Sequence, residues 1–139
     1  MDRTFLVLGA LSGFIGVGLG AFGSHALRGR LTSERLAQFE TGVRYQLWHT
    51  FALFVTAFVD GVANPSGIVL GSVAPLVMIE RGPAADIAGW LFVAGIVLFS
   101  GSLYALALSG NRRWGAVTPF GGVCFLLGWL ALIWAALTI

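Results

Sequence analysis

The sequence predicts an all-α fold, an integral membrane bundle of four transmembrane helices with a short amphipathic interfacial helix between the first two. Three observations predict it. Of 139 residues, 58% are apolar and only 10% are charged, against about a quarter charged in soluble domains. Mean hydropathy is +0.90, and long runs carry no charge at all. Finally, lysine is absent and six of the eight arginines fall in two segments, residues 28–44 and 112–113. An ordinary cytosolic domain is excluded. So is a nucleic-acid surface, because the net charge of +2 is local and serves to orient the chain in a bilayer.

A hydrocarbon core about 30 Å thick takes roughly 20 helical residues. The first span, about 4–24, lies between Arg3 and the cluster His25, Arg28 and Arg30. Ala21 and Gly23 would also fit a signal-peptide cleavage site, but arginines directly downstream oppose translocation, so the run reads as a retained helix. Thr32 or Ser33 then caps an amphipathic helix over 33–42, with Glu34 in its first turn. There Leu36, Phe39, Val43 and Leu47 recur at helical spacing. The second span, 43–60, contains an uncharged run from Tyr45 to Val59, bounded by Arg44 and Asp60. Next comes an inserted apolar loop, about 61–85. Its apolar part, Ser66 to Ile79, is short for a span and contains Pro75, which suits a re-entrant or interfacial segment. The third span, 87–109, and the fourth, 115–138, are unambiguous by length and composition.

Charge chooses between four spans and five. With four, the loops carrying Arg28, Arg30, Arg35, Arg44, Arg112 and Arg113 share one side and face Arg3 and Arg81 across the membrane. Five spans would weaken that asymmetry. The positive-inside rule therefore puts both arginine loops in the cytoplasm and both termini outside, in a multi-pass protein of the inner (plasma) membrane. Arginine in place of lysine, with abundant Gly and Ala, suggests a bacterial source.

Small residues mark packing faces. Gly9, Gly13, Gly16, Gly20 and Gly23 form one stripe along the first span, and Gly121, Cys124, Gly128, Ala131 and Ala135 a weaker one along the last. Such faces admit close helix contact, either within the chain or with a partner. Thr118-Pro119 suits a helix start. Trp48, Trp90, Trp114 and Trp134 fit interfacial belts. Trp129 falls mid-span and needs an acceptor for its indole N–H. The single cysteine, Cys124, excludes an intrachain disulfide.

Polar groups gather toward the arginine side. His25, Glu40, Arg44, Tyr45, Gln46 and His49 form the candidate polar site, with Ser100, Ser102, Tyr104 and Thr118 approaching from other spans. Strongly polar groups inside a membrane normally face the bundle interior or water. No catalytic residue set, phosphate-cradling loop or paired acids is visible, and no metal site is expected. No cofactor is expected either; the alternative is a haem b held by His25 and His49.

At these residues the sequence resembles the family called domain of unknown function 423, also known as the transmembrane protein 256 or uncharacterised protein family 0382 group. The resemblance is carried by GAFGSHAL (Gly20 to Leu27), FETGVRYQLWHTFAL (Phe39 to Leu53), AGWLFVAGIVLFSGSLYALALSG (Ala88 to Gly110) and GAVTPFGGVCFLLGWLAL (Gly115 to Leu132). It implies about four helices and no established activity. Ser24 stands where the family usually has alanine, and the stretch from Asp60 to Asp86 is longer than the family's common link. The functional expectation is a non-catalytic structural or accessory subunit, with the lipid bilayer and either itself or other membrane-protein subunits as partners. The alternatives are an oligomeric small-solute or proton transporter or channel, and a haem-binding redox subunit.

Overall fold

The structure, a computed structural model, describes residues 3–63 and 83–138, and among these it is helical throughout, with no strand. Helix α1 runs Arg3–Leu27 and closes with a π turn over Gly23–Leu27. Helix α2 is Ser33–Ala63. Helix α3 runs Ala84–Ser109 with a π turn at Ile96–Ser100. A 3-10 turn over Arg112–Ala116 leads into α4, Thr118–Leu137. Three segments, Arg3–Leu27, Ala84–Ser109 and Arg112–Leu137, are long and apolar enough to cross a membrane.

The expected amphipathic helix over 33–42 and second span over 43–60 are one uninterrupted helix. Thr32 caps it, its Oγ1 accepting the Arg35 N–H at 3.4 Å, and neither glycine nor proline interrupts the helix until Gly42, whose lack of a side chain seats the Tyr104 ring. The expected loop over 61–85 is also helical at both ends. Residues up to Ala63 continue α2, and α3 starts three residues earlier than expected, where Pro83 sets φ at −69° and its carbonyl accepts the Ile87 N–H. The re-entrant or interfacial segment Ser66 to Ile79 lies outside the described residues. Thr118 is the first residue of α4 rather than its cap, and Pro119 sits in the first turn.

Glycine sets the register of two antiparallel pairs. Along α1 and α2, Gly9 faces Phe54, Gly13 faces Thr50, Gly16 faces Leu47, Gly20 faces Val43 and Gly23 faces Phe39. The whole α1 stripe is thus filled by α2. Along α3 and α4 the exchange is reciprocal: Gly121 takes Phe99, Gly95 takes Phe125, and Gly128 takes Phe92. A methyl group at Gly121 would collide with the Phe99 backbone. Both stripes therefore do intrachain work.

The pairs join through a buried cluster of Phe5, Ala52, Leu53, Ala57, Ala88, Phe92, Phe125 and Leu132. Phe5 rests on Gly89 and meets Trp90 edge-on, ring centroids 5.8 Å apart. A second cluster of Leu27, Phe39, Val43 and Ala107 binds the opposite end. There Arg35 reaches across to the end of α3, its Nε donating to the Ala107 carbonyl at 2.6 Å and its Nη2 to that of Leu108 at 2.7 Å. Gly110, in the left-handed region at φ 71°, donates its N–H to the Leu106 carbonyl. The Leu106, Ala107 and Leu108 carbonyls near the end of α3 are thereby satisfied.

Candidate functional site

One face of α2, carrying Gly42, Gln46, His49, Leu53, Thr56 and Asp60, is buried along its length. The spacing of three and four residues turns every one of these toward the bundle. The opposite side exposes Glu34, Glu40 and Arg44 near the N-terminus and then Trp48, Phe51, Val55 and Phe58. The helix thus changes from a polar exterior to an apolar one near residue 45, while its interior stays polar.

Gln46 is the hub. Its Nε2 donates to the Ser12 carbonyl at 2.9 Å, and its Oε1 accepts the Tyr104 hydroxyl at 2.8 Å. Because a carbonyl only accepts, the amide nitrogen must face Ser12, which leaves the oxygen for Tyr104. The Thr50 hydroxyl donates to the Gln46 backbone carbonyl at 2.9 Å, so the Ser12 hydroxyl, 2.8 Å away, donates to Thr50. Three helices, α1, α2 and α3, meet in this one network.

His49 forms a second centre one turn on. Its Nδ1 lies 2.8 Å from the Tyr45 carbonyl and so carries the proton. Its Nε2 is then an acceptor and receives the Trp129 indole N–H at 3.4 Å. This is the acceptor that a mid-span tryptophan requires. The imidazole stacks on Phe125, centroids 3.4 Å apart at 8°, with Tyr45, Phe92 and Trp129 around it. Further along, the Ser102 and Thr118 hydroxyls meet at 2.8 Å. The Ser100 hydroxyl is fully buried with no hydrogen-bond partner.

The six expected site residues divide into two layers. Gln46 and His49 are buried within the bundle, with Tyr45 partly buried beside His49. His25, Glu40 and Arg44 are exposed, Glu40 and Arg44 lining a groove of about 300 Å³ with Gly20, Gly23 and Phe39. His25 is exposed in the π turn of α1, whereas His49 is buried with both ring nitrogens engaged. Among the described residues no group of three or more His, Cys, Asp or Glu could hold a metal ion. Sequence reasoning missed Ser12, whose signal was its isolation as the one hydroxyl between Thr4 and Ser24.

A groove of about 390 Å³ opens between α1 and α3, walled by Leu8, Leu11, Ile15, Val93, Ile96 and Val97. Ser12, Gln46 and Tyr104 also line it, so the hydrogen-bond network forms its polar part.

A family model described as a protein of unknown function, DUF423, matches residues 19–122. The UPF0382 membrane protein YwdK of Bacillus subtilis is 43% identical over 134 residues, covering 96% of both chains. A UPF0382 membrane protein of Staphylococcus epidermidis is 39% identical over 135 residues, covering 97% of this chain and 96% of the relative. One of Staphylococcus aureus is 37% identical over 131 residues, covering 94% and 93%. No solved structure matches the chain.

Proposed function

This chain belongs to the DUF423 family of membrane proteins, and from that premise we propose that it is a non-catalytic accessory subunit that crosses the bilayer four times and docks on other membrane proteins. One observation carries the reading: the buried amide of Gln46 and imidazole of His49 are spent on holding helices together. Gln46 ties α1, α2 and α3, and His49 ties α2 to α4 through Trp129. No side chain in these networks is set up as a nucleophile with its base.

The fourth crossing is α2. Its average hydropathy is lowered by Gln46, His49, Thr56 and Asp60, yet all four are buried. What it offers to lipid beyond residue 45 is Trp48, Phe51, Val55 and Phe58. From Tyr45 to Ala63 the helix is about 28 Å long at 1.5 Å per residue, which matches the hydrocarbon core.

The filled glycine stripes shift the docking surface elsewhere. Self-association through α1 would have to displace α2, so contacts with partners fall to the outer apolar faces. Solute passage has less support, because Phe125 stacks directly on His49 in the bundle interior. A haem would need His49 to release both Tyr45 and Trp129. Native mass spectrometry of protein extracted in mild detergent is expected to show the chain bound to another membrane subunit. A bare monomer that co-purifies with no other protein overturns this reading.

A further inference from the structure

We propose that the groove of about 300 Å³ beside Glu40 and Arg44, where α1 meets α2, binds the headgroup of a zwitterionic aminophospholipid, of the phosphatidylethanolamine class. Three observations define the ligand. First, the groove carries two opposite charges that do not neutralise each other. Glu40 and Arg44 both line it and both are exposed, and among the described residues neither side chain makes a hydrogen bond or an ion pair. The rest of the lining is Gly20, Gly23, Phe39, Val43 and Leu47, which bear no charge. A simple anion leaves Glu40 unanswered, and a simple cation leaves Arg44 unanswered. A ligand that carries both charges answers both.

Second, the order of the charges along α2 matches that of a phospholipid head in a bilayer. This step rests on α2 crossing the membrane, as argued above, with its hydrocarbon boundary near residue 45. Arg44 stands at that boundary, and Glu40 is four residues nearer the water, about 6 Å along the axis. In an aminophospholipid the phosphate is next to the glycerol, and a two-carbon linker carries the ammonium outward from it. The phosphate therefore meets Arg44 and the ammonium meets Glu40, each through charge-assisted hydrogen bonds. A choline lipid fits less well, because its quaternary ammonium has no N–H to donate to the Glu40 carboxylate.

Third, an apolar row continues from the head site into the membrane. Phe51 and Val55, seven and eleven residues beyond Arg44, fall on the same side of α2 as Arg44, and both are exposed. They lie about 10 Å and 16 Å deeper than Arg44, within one leaflet of a core about 30 Å thick. A soluble zwitterion has no part to lay along this row, whereas a diacyl lipid does.

The test titrates the full chain in mild detergent with phosphatidylethanolamine, phosphatidylglycerol and phosphatidylcholine of matched acyl chains, and resolves the first bound lipid by native mass spectrometry. Phosphatidylethanolamine should bind about fivefold more tightly than either of the others, the equivalent of one net hydrogen bond. Glu40→Gln should abolish its preference over phosphatidylglycerol, and Arg44→Gln should weaken all three lipids alike, since each has a phosphate. Both side chains are exposed, so the variants should keep the native melting temperature, and each predicts its own pattern. Glu40→Arg combined with Arg44→Glu keeps the net charge but reverses the order of the two groups, and should also lose the preference. Equal binding of the three lipids by the unaltered chain overturns the site. So does tighter binding of phosphatidylglycerol, which would assign the groove to anionic lipid, or a preference that survives both Glu40→Gln and the exchange.

A second measurement separates this site from the crossing of α2. In vesicles, Phe51→Cys in a Cys124→Ser background should resist a water-soluble maleimide added to both sides. Labelling of that cysteine overturns the crossing and the site together, whereas equal lipid binding with the cysteine protected overturns the site alone. A partner protein enters neither readout, so the docking role can fail independently.

Discussion

At the scale of single residues, the bundle interior is organised by donors that need acceptors. Trp129 shows how far sequence carries: a mid-span indole requires a partner, yet His49, 80 residues away, is identified only when α2 and α4 are packed. Imidazole meets the demand because its other nitrogen is already committed to the Tyr45 carbonyl. Ser100 is the opposite case, a buried hydroxyl with no partner. An unsatisfied buried polar group costs about 1–3 kcal/mol. Ser100→Ala is therefore expected to raise stability by about 1 kcal/mol, read from reversible unfolding in mixed micelles; a less stable variant would mean that the hydroxyl is satisfied in the folded protein.

At the scale of elements, α2 separates average composition from the pattern of faces. Beyond residue 45 its polar residues Gln46, His49, Thr56 and Asp60 fall on one stripe at helical spacing and pack inward, so a hydropathy average counts polarity that the outer face of this part does not carry. The sequence signal was present, since Gln46, His49 and Thr56 share a face with Gly42 and Ala52, but average hydropathy over a window discards it. The end of α3 depends on α2 as well. Arg35 donates two charge-assisted bonds to the Ala107 and Leu108 carbonyls, positions where a cation also suits the helix dipole. Arg35→Ala is expected to cost about 1–2 kcal/mol, with faster amide exchange over residues 106–110. Arg35→Lys should recover only part, because a point ammonium cannot reproduce the two-nitrogen fork. Full recovery with lysine would show that charge alone matters.

At the scale of the whole molecule, two antiparallel pairs share α2 as their common wall, and their turns bring Arg28, Arg30, Arg35, Arg112 and Arg113 to one end. On the proposed reading of four crossings, residues 28–32 and 110–113 would face the cytoplasm and both termini the outside. In a Cys124→Ser background, single cysteines at Arg30 and Asn111 should react with a membrane-impermeant maleimide only after the membrane is opened. One at the N-terminus should react in intact cells. Labelling of the N-terminus and residue 30 from the same side would mean that α1 does not cross.

Sequence alone determined the membrane class, the all-helical character, three of the helices to within a few residues, and the faces on which glycine and polar side chains fall. These depend on composition and on a fixed helical period, both local properties of the chain. Only the tertiary structure decided that the α1 stripe is filled by α2, that Gln46 and His49 belong to separate networks, and that a groove opens between α1 and α3. The filled stripe rests on pairs 16 to 45 positions apart, and the two networks on hydrogen bonds that span 34 to 80. A periodic pattern says which way a side chain points, and packing alone says what it meets.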